Sequence, residues 1–226
     1  MIPLLCLLLI AVPWVAEAGG SVSGQVLAKG GGTKPKRLSV TIDRQVCGDE
    51  QFSESLIVGK KGEVRNAAVF VKGPVEGGKR PASGNYSIDR RGCRFRPHVL
   101  LVPAGNPVRV LNSDGIFHNF RTESRLNPPM SRSEAGGTPP FELRFTRPEI
   151  FRCSSDLHPF MEGWVVVQEH SYYALTGGDG RYELTDLPAG VYTLRAWHET
   201  LGEAERKIQV LEGEKTVADF MLGGLK

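Results

Sequence analysis

Charge of one sign is what this sequence lacks most plainly: 28 Lys and Arg stand against 25 Asp and Glu, for a formal net charge of +3. That balance excludes a strongly basic nucleic-acid binder and leaves only local patches such as Lys34-Pro35-Lys36-Arg37 and Lys60-Lys61. Uninterrupted helical stretches are also scarce, because 27 glycines and 15 prolines punctuate the 226 residues and both types break helices. Signatures of common enzymes are missing: there is no Gly-x-Ser-x-Gly, no His-Glu-x-x-His, no Walker loop and no dinucleotide fingerprint. No acid and base stand paired, and Asp114, Asp156 and Glu162 are expected as solvated carboxylates, so no enzymatic activity is expected. Hydrophobic residues nevertheless make up 40% of the chain, enough for a packed core and against global disorder.

The longest apolar run, Pro3 to Val15, ends in Ala16-Glu17-Ala18, a small-x-small pattern of the kind signal peptidase reads. It is short for a membrane span, which needs about 20 apolar residues. Residues 1–18 are therefore expected as a signal peptide, and the mature protein as periplasmic or secreted, with no membrane span after cleavage; an uncleaved anchor is the alternative. Cleavage removes Cys6 and leaves Cys47, Cys93 and Cys153 in an oxidising compartment. Cys47 in Val46-Cys47-Gly48 and Cys93 in Gly92-Cys93-Arg94 both sit next to turns, which makes Cys47–Cys93 the first pairing. Such a bond closes a loop of roughly 45 residues, for up to about 4 kcal/mol by chain entropy. Cys153 is then either a small buried hydrophobe or a metal ligand.

Short alternating segments read as strands almost throughout. They include Ser21–Ala28, Leu38–Ile42, Ser55–Val58, Ala67–Val71, Val99–Val102, Val108–Leu111 and Phe141–Phe145. Trp164–Val167 is uniformly apolar, as a strand buried on both faces requires. Arg125 to Pro140, with two Pro-Pro pairs and Gly136-Gly137, is expected as a long surface loop. Asp179-Gly180 marks a hairpin turn, and Leu187-Pro188-Ala189-Gly190 a second turn.

The chemistry concentrates between His118 and Met161. His118 precedes the long loop; Cys153, His158 and Met161 follow it within a few residues of one another. Two imidazoles, a thiolate and a thioether are the donors of a blue-copper centre, and a single late loop can supply three of them at low entropic cost. Asn119, next to the first histidine, suits a residue that pins the ligand loop by hydrogen bonds. His98 is expected as a partly buried ring bonded to backbone or as an extra ligand, His198 as structural, and His170 as solvated.

Arg91-Gly-Cys-Arg-Phe-Arg-Pro-His98, Val110-Leu-Asn-Ser-Asp114, His118-Asn119 and His158-Pro-Phe-Met161-Glu-Gly-Trp-Val-Val-Val together resemble the cupredoxins, in particular amicyanin- and plastocyanin-like proteins associated with methylamine utilisation. Thr176-Gly-Gly-Asp-Gly-Arg-Tyr-Glu-Leu184 and Val191 to His198 resemble the transthyretin-like module of carboxypeptidase regulatory domains. The resemblance implies an all-β architecture: a cupredoxin-like Greek-key sandwich over 19–167 and a smaller C-terminal β-sandwich over 168–226, to which Ser21–Ala28 could add a strand. It also implies a copper site of His118, Cys153, His158 and Met161. The relatives carry Cys three residues before the second His, a position occupied here by Ser155. Azurin-like cupredoxins instead place four residues between the two, the spacing of Cys153 and His158. A thiolate-free site is the alternative.

The implied function is single-electron transfer by copper to a redox partner protein in the exported compartment, with His158 as the exposed edge. The alternative is a non-redox binding or structural module that recognises glycan or another exported protein. Ligation by Cys153 predicts an intense visible thiolate-to-copper band that Cys153→Ser abolishes, as absorption spectroscopy of the copper-loaded protein would show.

Overall fold

The computed structural model describes residues 19–30, 32, 34–78 and 83–223; the apolar leader at 1–18 lies outside the described residues. Among them the chain forms 19 strands and one four-residue helix, Arg44–Cys47, so the architecture is all-β. None of the described helices is long and apolar enough to cross a membrane.

The strands build two sandwiches. In the first, a five-stranded sheet runs Ser131–Glu134, His118–Thr122, Glu149–Ser154, Glu162–Gln168, Val99–Pro103 in spatial order. It faces a four-stranded sheet ordered Phe141–Arg144, Pro107–Asn112, Tyr86–Arg90, Phe95–Arg96. Ile88, Val108 and Val110 from one sheet meet Val102, Phe120, Phe151 and Val165 from the other. In the second sandwich, Gly20–Ala28 lies between Arg181–Leu187 and Lys215–Val217 and also pairs with Phe220–Leu222. The opposing sheet is ordered Tyr173–Leu175, Ala68–Val71, Gly190–His198, Gly202–Val210.

Residue 168 is therefore a boundary in sequence and not in space. Gly20–Ala28 and Ala68–Val71 precede it, yet each lies in the interior of a sheet of the second sandwich, with wholly buried Val22, Val26 and Val69 in that core. Two further expectations change in the same way. The Asp179-Gly180 turn joins Tyr173–Leu175 to Arg181–Leu187, which belong to opposite sheets, so it is a crossing between layers and not a hairpin. Ser131–Glu134, expected as loop, pairs antiparallel with His118–Thr122. It is an edge strand whose residues are exposed except Glu134, so backbone pairing rather than apolar alternation forms it. Ser55–Val58 is reduced to a single bridge between Val58 and Val64.

Strands without polar alternation mark where the sandwiches stack. In Glu162–Gln168, Val165 and Val167 enter the first core, while Trp164 and Val166 face the other way. In Ala68–Val71, Val69 and Val71 enter the second core, and Ala68 and Phe70 face the first sandwich. The outward residues of both strands meet in a shared apolar layer with Val99, and Trp164 packs edge-on against Trp197 at 5.1 Å. Beside it the Glu199 carboxylate accepts from Trp164 Nε1 at 2.8 Å and from the His98 ring, so His98 is bonded to an acid rather than to backbone. Burial opposes these contacts on Glu199, yet they hold its carboxyl below the usual range.

His170 is buried rather than solvated: its Nε2 donates to the carbonyls of Val71 and Gly73, and its Nδ1 accepts from Tyr172 N. His198 is also buried, with Nδ1 accepting from the backbone of Thr200 and Leu201. Burial pushes both rings below the ordinary value of 6.5.

Two outcomes follow from this packing. Phe70→Ala, which empties the layer between the sandwiches, is expected to cost about 3–5 kcal/mol in denaturant titration. The unfolded chain binds protons near pH 6.5 that buried His170 and His198 refuse. Their contribution to stability is thus complete above about pH 6.5 and declines as pH falls below it, so the denaturation midpoint at pH 5 is expected below that at pH 7.5.

Candidate metal centre

His118 opens the strand His118–Thr122, and His158 lies in the turn that follows Glu149–Ser154. Both side chains are wholly buried, and their ring centroids are 4.7 Å apart. The turn is built locally: His158 N donates to Ser155 Oγ at 3.1 Å, and Met161 N donates to His158 O at 2.8 Å. Asn119 ties the two segments together. Its Oδ1 accepts from Asp156 N at 3.1 Å, while its Nδ2 donates to the hydroxyls of Ser131 and Ser133.

Each imidazole is held from behind by a carboxylate. His118 Nε2 donates to Asp114 Oδ2 and His158 Nε2 to Asp43 Oδ2, both at 2.9 Å. A carboxylate that accepts from Nε2 leaves the lone pair of a neutral ring on Nδ1. Those two Nδ1 atoms are buried and have no hydrogen-bond partner. Burial lowers the His118 pKa, the Asp114 hydrogen bond opposes that effect, and the neighbouring His158 and Arg90 add to the lowering. A neutral His118 ring with a free Nδ1 is the form that binds a metal.

Asp114 departs from the expectation of a solvated acid. It is buried, and besides His118 it accepts from Gly92 N and Cys93 N at 2.8 Å each. Asp43, 115 residues before His158, had no local signal beyond its place ahead of Arg44-Gln-Val-Cys47. Behind His118 runs a fully buried ion pair, Arg90 Nη2 to Glu134 Oε2 at 2.6 Å.

Cys153 lies within a strand. The strand Glu149–Ser154 continues through it, pairing Cys153 with Gly163 on one side and Thr122 on the other. Its side chain joins Phe151 and Val165 in the first core. Among the described residues, the one group of three His, Cys, Asp or Glu ligand atoms within 4.8 Å of one another is Cys93, Asp114 and His118. Cys153, His118 and His158 do not form such a group. Nor is the group of Cys93, Asp114 and His118 a ligand set, because Cys93 is disulfide-bonded to Cys47 and Asp114 already binds the His118 ring. Met161 is buried in the same core, three residues beyond His158. His158 has no exposed edge, in contrast to the expectation for an electron-transfer contact.

Two orphaned imidazole nitrogens fit a metal ion, since a buried acceptor left unpaired costs about 1–3 kcal/mol that a ligand can offset. Imidazole with thioether suits copper. Burial pushes the Cys153 thiol far above its ordinary pKa, with Glu123 adding to the effect. Cys153 is accordingly expected to stay unreacted with Ellman's reagent in the native protein and to react fully in denaturant; rapid native labelling would contradict this placement.

No family model and no curated protein matches the chain. Among solved structures it is similar to a Cu-containing nitrite reductase from Thermus scotoductus, at 22% identity over 43% of this chain and 25% of that one, with a TM-score of 0.36. It thus spans about a quarter of that reductase chain. It is also similar to an oxidized amicyanin mutant, at 20% identity over 44% of this chain and 98% of that one, with a TM-score of 0.35. A reduced amicyanin mutant gives 22%, 46%, 99% and 0.35 for the same quantities.

Proposed function

We propose that this chain is an exported copper-binding protein that holds the ion through His118 Nδ1 and His158 Nδ1, with the Met161 thioether as a third donor and no thiolate. The observation that carries the reading is the pair of wholly buried rings whose Nδ1 atoms lack partners while their Nε2 atoms are fixed by Asp114 and Asp43. A carboxylate behind a ligating histidine fixes the tautomer and raises the basicity of the free nitrogen. Copper follows from donor type: two imidazoles bind Cu(II) tightly, and a thioether favours Cu(I).

Copper in this place supplies one-electron chemistry between Cu(I) and Cu(II). The protein's own residues do the rest. His118 and His158 present their lone pairs, Asn119 and Ser155 fix the turn that carries the second ring, and the surrounding core excludes water. Burial of the His158 edge favours holding copper over passing electrons to a docked redox partner. Export is supported by the apolar run before Ala16-Glu17-Ala18 and by the Cys47–Cys93 disulfide, which persists in an oxidising compartment.

The test is titration of the metal-free protein with Cu(II), followed by optical and electron paramagnetic resonance spectroscopy. One equivalent is expected to bind with wide hyperfine splitting and a pale spectrum, unchanged in Cys153→Ala. His118→Ala and His158→Ala are each expected to weaken binding by about 100-fold or more, beyond the effect typical of outer partners. An intense visible band lost with Cys153 would restore the thiolate centre and electron transfer. Absence of binding would leave a scaffold for recognition of glycan or protein.

A further inference from the structure

Asp43 reaches His158 from a strap that the sandwich sheets do not contain. The strap begins at buried Val40, turns at Asp43 with a left-handed φ of 52°, and forms the single helical turn Arg44–Cys47. The Asp43 carbonyl accepts from Val46 N and Cys47 N at 3.0 and 2.9 Å, and Arg44 Nε donates back to Val40 O. Left-handed backbone is disfavoured for most side chains, though Asp tolerates it better than most, and such a conformation persists where its surroundings over-determine it.

The strap is held at its base by the antiparallel pair Arg37–Ser39 and Glu50–Phe52, and further along by the disulfide. Cys47 ends the turn and is bonded to Cys93, both buried. Gln51 closes the same junction, donating to Cys47 O at 2.6 Å and to Gly92 O at 3.2 Å while its Oε1 accepts from Arg94 Nε. Each half-cystine is also hydrogen-bonded to the aspartate behind one histidine: Cys47 N to the Asp43 carbonyl, and Cys93 N to the Asp114 carboxylate. One covalent link thus joins the two segments that bear on His118 and His158.

We propose that Asp43 is a positioning residue for the metal site, fixing the Nε2–H tautomer of His158 and sealing its outer edge, and that the Cys47–Cys93 disulfide belongs to that site because it pins the strap. The proposal rests on the copper reading above only for its consequence on affinity; the tautomer is a property of the metal-free chain.

The experiment uses the full chain, labelled with ¹⁵N and free of metal, with the His158 ring nitrogens observed by long-range proton–nitrogen correlation. The native protein is expected to show Nε2–H alone, Asp43→Ala a mixture of tautomers, and Asp43→Asn, whose amide carbonyl still accepts, a return to Nε2–H. Cu(II) affinity is expected to fall about 10- to 100-fold in Asp43→Ala and to recover in Asp43→Asn. The double variant Cys47→Ser with Cys93→Ser is expected to follow Asp43→Ala in both readouts. An unchanged tautomer in Asp43→Ala, or Nδ1–H in the native protein, would overturn the role of Asp43. A double variant that matches native protein would overturn that of the disulfide. Asp43→Ala keeps the disulfide, so the first judgement does not depend on the double variant folding. If native protein binds no copper, the copper reading fails while the tautomer still decides for or against Asp43.

Discussion

Two imidazoles buried side by side have four ring nitrogens to satisfy, and this fold satisfies two of them. Asp114 and Asp43 take the Nε2 protons of His118 and His158, and both Nδ1 atoms are left facing protein interior without a partner. Buried polar atoms rarely go unpaired, because each lost hydrogen bond weighs against a net stability of only about 5–15 kcal/mol. The surrounding structure exists in a form that tolerates this cost. Asn119 bridges the histidine strand to the histidine turn, Ser155 fixes the turn from within, and the Cys47–Cys93 bond holds both carboxylate-bearing segments. An arrangement fixed from so many sides has the preorganisation that the proposed metal site requires.

The second sandwich contributes to the same rigidity from a distance. Its inner sheet covers the outer face of Glu162–Gln168, the strand that leads directly out of the His158–Met161 turn. Interleaving Gly20–Ala28 and Ala68–Val71 among later strands makes the two sandwiches one continuous set of layers. The buried His98–Glu199–Trp164 contacts then fasten one to the other. The turn after Ser154 is thus anchored in a strand packed on both faces.

Spacing pointed to the two histidines, while the cysteine does not join them in a group of three close ligand atoms. His118 and His158 were recognisable because a strand start and a late turn are the places from which two rings can converge. Cys153 has a ligand-like separation from His158, but separation along the chain becomes proximity only if the strand has already ended. Here the ladder with Gly163 runs on through Ser154, so Cys153 remains in the sheet and turns into the core with Phe151. Asp43 had no such clue, since nothing within its neighbourhood refers to a residue 115 positions later. The edge strand Ser131–Glu134 was hidden for a related reason: its pairing is made by backbone, which sequence does not vary.

The sequence by itself determined the all-β class, the apolar strands and the identity of the two buried rings. Alternation, turn residues and side-chain chemistry are properties of neighbours along the chain. Only the tertiary structure decided that the sandwiches interleave, that Cys153 lies within a strand of the sheet, and that Asp43 and Asp114 stand behind the histidines. These depend on which distant groups meet in a water-free interior. There, hydrogen-bond partners are assigned by packing across more than a hundred residues, and the nitrogens that packing leaves over become the site.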